Sequence, residues 1–486
     1  MDNKVWDLTA LKNARWLGKV KRKMTLMNRT KKHAQVSGLK QICSPRIAAV
    51  SVFFLFYGIA AQAALPIQHW QTEKGANVYF VENHDLPLLD VNVDFAAGSN
   101  RDTASQSGLA NLVLHMMDLG AAGLSDDDIS RTTADVGAEM GGHLDLDRAG
   151  FSLRTLSSER ERKQALSVLA KVLQQPDFPE QILEREKARI VSAIKEAATQ
   201  PANIAEKAFY AAVYGKHPYA LPSSGEVDTV KVLRRDDLVA FYKSHYSAGT
   251  AVIALMGDIT RVEAEGIARQ LTDNLPQRTD ATPLPEVQQL TAEIDRKIPH
   301  PASQSHILMG VPGVRRGDPD YFPLLVGNYV LGGGGFDSRL TKEVREKRGL
   351  AYSAYSYFAP MSQEGPFQIG LQTKKEQTEE AIKIVREVLR DFIVRGPTAA
   401  ELTQAKNNLM GGFPLRIDSN KKLIEYLSVI GFYRLPLTYL DDFVGNVEKV
   451  TLASIKQAFA RHIDPNRMVL VVVGGNGAEA GETAKK

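Results

Sequence analysis

Apolar and polar positions alternate strictly through Leu89-Asp90-Val91-Asn92-Val93-Asp94-Phe95, which predicts a strand with one apolar face. His69-Trp70-Gln71-Thr72 and Asn77-Val78-Tyr79-Phe80-Val81 precede it with strand-like patterns, so the start of this region reads as an antiparallel meander. The stretch Gly108 to Met117 is apolar at helical spacing. A second helix starts at Ser125, an N-cap followed by Asp126, Asp127 and Asp128, whose charges suit a helix N-terminus. Strand patterns return at 141–147 and 150–156. An amphipathic helix then runs from Ser158 toward Leu173, and Pro179 opens a longer one that passes Ala193 and is broken or kinked by Pro201. A helix near Arg235 to Tyr242, the continuous apolar strand Ala251 to Met256 and a helix over about 261–272 complete this half. Strands backed by helices on one side make an α+β layer.

Residues 276–285, Pro-Gln-Arg-Thr-Asp-Ala-Thr-Pro-Leu-Pro, are polar and proline-punctuated and read as a linker. Beyond it the same order starts again. The strand 305–311 corresponds to 89–95, a helix at about 319–331 to the Gly108 helix, a helical tract 375–412 to 159–200, and the strand 468–475 to 251–257. This implies a duplicated domain, with halves at 64–275 and 290–475 joined through 276–289, and a disordered tail at 476–486.

Of 60 Lys and Arg and 56 Asp and Glu, 12 and 2 respectively fall within residues 1–46, which leaves 48 and 54 in residues 47–486. That acidic balance removes compositional support for nucleic-acid binding. The basic lead runs into the uncharged segment Ile47 to Ala61 and then Ala61-Gln62-Ala63, the order of a secretory signal with cleavage expected after Ala63. The apolar run is shorter than the ~20 residues of a spanning helix, so a periplasmic protein is expected, with an uncleaved anchor as the alternative. The single Cys43 lies within the removed part, which excludes disulfides and thiol catalysis from the mature chain.

Candidate chemistry centres on Gly108-Leu109-Ala110-Asn111-Leu112-Val113-Leu114-His115-Met116-Met117. Side chains at 111 and 115 share a helix face and could grip one metal ion, but a carboxamide is a weak ligand and Leu114 can move no proton. This frame, followed by Gly120, resembles the inverzincin peptidases, the family of pitrilysin, insulysin and mitochondrial processing peptidase, which carry H-x-x-E-H. The resemblance implies that Asn111 stands at the first zinc ligand, Leu114 at the general base and His115 at the second ligand. The third ligand, seven residues beyond the Glu of Arg185-Glu186-Lys187, falls on Ala193. Glu196 lies near enough to be weighed as a substitute donor. His143, Asp145 and Asp147 alternate along the strand region and offer a second metal cluster, for which an exposed polar face opposite Leu144 and Leu146 is the simpler account.

In the second half, Gly332 to Gly335 lacks the Lys and Ser/Thr of a phosphate loop and reads as a flexible turn. It leads into Ser338 to Tyr352, which resembles the family signature R-x-x-x-x-x-x-Y. Arg345 and Tyr352 are therefore expected to bind substrate, with a salt-bridged helix as the alternative for so charged a stretch. The resemblance spans about 66–475 and implies two α+β halves closing like a clamshell around a peptide-binding chamber. It points to the non-catalytic subunit of a two-chain zinc peptidase, holding no metal itself and lending Arg345 and Tyr352 to a homologous partner with intact H-x-x-E-H and its zinc. A metal-free binding or scaffold protein, and a stand-alone peptidase with unusual ligands, are the alternatives.

Overall fold

The computed structural model describes residues 66–277 and 282–474. The basic lead, the signal-like segment and the tail lie outside the described residues. Among the described residues no helix is long and apolar enough to cross a membrane.

The first sheet contains β1 (Gln68–Gln71), β2 (Asn77–Glu82) and β3 (Leu88–Phe95), and a short hairpin of β4 (Gly120–Ala121) and β5 (Leu124–Ser125) stands apart from it. With β6 (Glu139–Leu144), β7 (Ala149–Leu156) and β8 (Val252–Gly257) its order is β1-β2-β8-β3-β7-β6. The expected meander is thus interrupted. β8 enters between β2 and β3, parallel to the first and antiparallel to the second. Its unbroken apolar run explains the position, because only a central strand buries both faces.

The second sheet repeats this plan: β9 (Ile294–Ile298), β10 (Gln304–Val314), β11 (Ala351–Phe358), β12 (Gly365–Lys374) and β13 (Val469–Val473) lie in the order β11-β12-β10-β13-β9. β13 runs parallel to β9 as β8 does to β2, and antiparallel to β10 as β8 does to β3. The molecule is therefore α+β, built from two sheet-and-helix halves of matching topology, and β6 and β11 are the equivalent open edges.

Local chemistry sets the helix ends. Ser125 and Asp128 form a reciprocal capping box at the start of Asp126–Ala134. Pro201 ends the preceding helix, Glu180–Ala197, and occupies the first turn of a separate one, Pro201–Tyr214. The expected tract 375–412 is likewise two helices, Thr378–Arg395 and Ala399–Gly412, parted at Gly396 with φ 73°. The first glycines of the run are packed, not loose: a Cβ on Gly332 would lie 2.3 Å from the Ser356 hydroxyl of β11, so only glycine permits that approach, while Gly335 is open and turns with φ 60°.

The halves exchange helices. Ala205, Phe209 and Val213 of Pro201–Tyr214 pack with Val469, Val471 and Val473 of the second sheet. Asn420–Phe432 lies on the first sheet, where the Asn92 amide donates to the Ser428 hydroxyl at 3.1 Å. This exchange explains why the polar face of β3, Asp90, Asn92 and Asp94, is buried as well as its apolar one.

Candidate functional site

The first-half site is carried by the helix Leu109–Met117, which seats Leu112, Val113, Met116 and Met117 in the core. Asp102 holds its N-terminus, accepting from the Gly108 and Ala110 amides at 2.8 Å each. Burial pushes the Asp102 carboxyl up to about 7 against the pull of these amides. Leu114 is buried, with Cγ 3.2 Å from where a Cβ of Gly142 in β6 would stand. The position that the resemblance gives to a general base is thus filled by hydrocarbon.

His115 is the surviving member of the motif, and its surroundings are ionic. Its Nε2 lies 2.8 Å from Oε2 of Glu186 and also meets Nη2 of Arg189. Glu186 is buried and further bonded by Arg185 Nε at 2.9 Å and Arg189 Nε at 2.8 Å. Burial raises the Glu186 carboxyl, but the hydrogen bonds from His115 and Arg185 and the charge of Arg189 outweigh it and hold the group below its ordinary range. One ring nitrogen carries one proton or one lone pair, so Nε2 either donates to Glu186 or accepts from Arg189.

Arg189 precedes Ala193 by four residues on the helix Glu180–Ala197, so the two share a face. A guanidinium is thus tethered at His115, one turn from Ala193, the position at which the resemblance expects a third metal donor. Ala193 and Glu196 are both exposed. The donor set does not fit zinc: an amide and an alkyl group replace two ligands, and a fixed cation abuts the remaining imidazole. Among the described residues the one three-donor group with metal-like spacing is Asp318, Asp320 and His462. There Arg461 forks onto both oxygens of Asp320, at 2.8 and 2.6 Å, and His462 Nδ1 is engaged with the Gly313 carbonyl.

The structure separates His143, Asp145 and Asp147 and does not leave them on an exposed face. β6 ends at Leu144, and the two aspartates lie in the turn to β7. His143 binds the buried Asp94 at 2.7 Å, and Asp145 binds Arg148 at 2.9 Å. Asp147 is 2% exposed and accepts from Asn100 at 3.0 Å, Tyr219 at 2.5 Å, the Ser362 amide at 2.7 Å and Tyr433 at 2.8 Å. It ties residues of both halves.

Arg345 and Tyr352 are brought together. The Arg345 guanidinium lies 4.8 Å from the centres of both the Tyr352 and Phe336 rings. Those rings are 77% and 58% exposed, so this is a surface clamp and not a core contact. The salt-bridge account fails at this residue: Glu343 pairs with Lys347 at 2.6 Å and Arg348 at 2.7 Å, while among the described residues no carboxylate pairs with Arg345. A bulge between Ala351 and Ala354 sets Tyr352 out from the β11 ladder.

Sequence reasoning missed the partners of His115. Arg189 carried a usable signal, being one turn before the vacant ligand position; Glu186 was visible as the anchor of the register but not as a hydrogen-bond acceptor.

Comparison with known proteins adds the following. Residues 78–226 match the family model described as insulinase (peptidase family M16), and residues 233–409 match that of the peptidase M16 inactive domain. An uncharacterized zinc protease of Streptomyces coelicolor is 27% identical over 78% of this chain and 83% of its own length. The non-peptidase homolog YmxG of Helicobacter pylori is 23% identical over 86% and 96%. A solved peptidase M16 inactive domain from Pseudomonas fluorescens is 38% identical and superposes with a TM-score of 0.82, over 85% of this chain and 99% of that one.

Proposed function

The chain belongs to peptidase family M16, and from that premise we propose that it is the non-catalytic subunit of a two-chain zinc peptidase. A homologous partner with an intact H-x-x-E-H motif supplies the metal and the general base. This chain supplies Arg345 and Tyr352. The observation that carries the reading is the contrast between the halves: the first half holds an arginine against its one remaining imidazole, and the second presents an exposed arginine clamped by aromatic rings and unclaimed by any carboxylate among the described residues.

The chemistry follows from the groups. A guanidinium offers five N–H donors in a plane, and contact with two ring faces holds it in place without consuming them. Such a group can donate to a peptide carbonyl, and the Tyr352 phenol can add a second donor; both strengthen as negative charge develops on that oxygen. The signal-like segment supports the periplasm as the site of action.

The test is reconstitution with the homologous catalytic chain. Arg345→Ala or Tyr352→Phe is expected to lower kcat/KM for a peptide substrate by about tenfold or more while co-purification of the two chains is unchanged. Wild-type turnover in both variants overturns the assignment. Stoichiometric zinc in this chain alone, lost on His115→Ala, overturns the metal-free reading.

A further inference from the structure

Phe336 meets Arg345, yet the proposed function gives it no task. It stands in the short turn Gly335–Asp337, between the segment Tyr329–Gly333 and the segment Thr341–Glu346 that carries Arg345. Both flanking segments are wound as π-helices: the Gly334 amide donates to the Tyr329 carbonyl at 2.8 Å, and the Lys347 amide to that of Lys342 at 3.0 Å. Such wide turns are rare and gather at functional sites. The stretch between them is pinned to β11 on both sides. Before the turn, the Asn328 amide donates to the Ser356 carbonyl at 2.9 Å, and the Ser356 hydroxyl donates to Asn328 Oδ1 at 2.6 Å. After it, the hydroxyl of the buried Ser338 donates to the Gly335 carbonyl at 2.8 Å, and the Thr341 hydroxyl to the Ala354 carbonyl at 3.2 Å.

Tyr352 belongs to β11 itself, so both rings that meet the guanidinium are placed by one strand. Phe336 is 58% exposed, and a ring so placed adds little to a core. What it meets is Arg345, whose guanidinium lies 4.8 Å from the ring centre. A carboxylate partner would also hold an exposed arginine, but it would take up the donors and offset the charge. Ring faces hold it and leave donors and charge free. An arginine held by neither keeps its rotamer entropy, which a ligand must then remove on binding.

We propose that Phe336 is a positioning residue, which orders the Arg345 guanidinium before a peptide arrives and acts on that peptide only through Arg345. The pinned turn is the support that keeps the ring in place. Tyr352 shares the task but also has a hydroxyl to donate, so Phe336 is the ring whose effect can be read by itself. A cation–π contact at an exposed site amounts to a factor of about two to five. The inference rests on the reading of Arg345 as a substrate contact and names what keeps that contact ready.

The test uses this chain reconstituted with the homologous catalytic chain and a peptide substrate. Phe336→Ala is expected to lower kcat/KM by about two- to fivefold. The loss should fall in kcat, because the hydrogen bonds of Arg345 strengthen as charge develops on the carbonyl. Phe336→Trp keeps a π face and should retain turnover, whereas Phe336→Leu should not. In an Arg345→Ala background, Phe336→Ala should change nothing further. In the chain alone, the Arg345 Nε–H signal, assigned by its loss in Arg345→Lys, should show a lower order parameter in Phe336→Ala than in the parent. Wild-type turnover in Phe336→Ala or Phe336→Leu, an unchanged order parameter, or a loss that persists beside Arg345→Ala overturns the inference and leaves the role of Arg345 standing. A lowered unfolding midpoint or lost co-purification in Phe336→Ala marks the ring as a structural or docking group and overturns it as well. Wild-type turnover in Arg345→Ala overturns both readings.

Discussion

Arg189 is the residue on which the first-half site turns. If its guanidinium holds the region a metal ion would need, restoring donors is not enough. The variant Asn111→His, Leu114→Glu, Ala193→Glu rebuilds the family's ligand set and base on paper, yet leaves a cation in contact with His115. Adding Arg189→Ala is expected to tighten zinc binding by at least about tenfold, because one unit charge near a divalent ion costs more than 1.4 kcal/mol at any protein-like dielectric. Competition against a chromogenic chelator measures this. Equal affinity with and without Arg189 would show that the guanidinium is a bystander. A second residue-scale prediction concerns Glu401, which accepts from Arg339 at 2.8 and 2.7 Å and caps its helix through Thr398. Its bond with Arg339, ahead of the other causes, lowers its carboxyl to about 2. A depressed carboxylate stabilises the fold above its unfolded value near 4.5, and that contribution fades as pH falls toward 2. With a quarter of the side chain exposed, the contribution is on the order of 2 kcal/mol. Glu401→Gln should therefore be less stable by about that amount at pH 7 and converge with the parent in acid, as read by urea unfolding across pH. Parallel profiles refute it.

At the scale of elements, what was legible in the sequence was what is local. The alternation of Leu89 to Phe95, the Ser125 cap and the break at Pro201 all depend on neighbours within a few residues, and each is found where the pattern puts it. Two things were not legible: the insertion of β8 between β2 and β3, and the exchange of helices between halves. Both depend on which distant surface covers an apolar stripe, and periodicity marks the stripe without its partner. The same holds at the sites. Asn111, Leu114 and Ala193 could be recognised as missing chemistry, but a lost ligand does not say what fills its place. Asp147 resembled a surface residue in an alternating Asp-Leu-Asp run, because nothing in that run anticipates donors from Ser362 and Tyr433. The exchange itself is testable. Phe209 is fully buried, and its ring lies 2.7 Å from where a Cβ of Gly310 would stand, so it occupies space between a first-half helix and a second-half strand. Phe209→Ala should cost about 3–5 kcal/mol. Amide exchange should rise in β10 and β13 as well as in residues 201–214. Loosening confined to residues 201–214 would show that the helix is not structural to the second sheet.

For the whole molecule, the decisive contact is Asp147, where one buried carboxylate gathers Asn100 and Tyr219 from the first half and the Ser362 amide and Tyr433 from the second. Burial and the nearby Asp145 raise its carboxyl, while the Tyr219, Ser362 and Tyr433 donors oppose them. A carboxylate buried under that burden depends on its four donors, so they must stay in place for its charge to be tolerated. Asp147→Asn keeps the size and one acceptor but turns an N–H₂ toward groups that all donate. Removing one partner of a buried charge network typically costs about 3–5 kcal/mol. The loss should be shared, with amide exchange accelerating near Tyr219 and near Ser362 together, because no single half contains the whole set. Tyr433→Phe removes one donor and should cost about 1–2 kcal/mol, with the same two regions loosening by less. If Asp147→Asn destabilises the chain but only the first-half segment exchanges faster, Asp147 is a local turn anchor and the halves are joined by helix exchange alone.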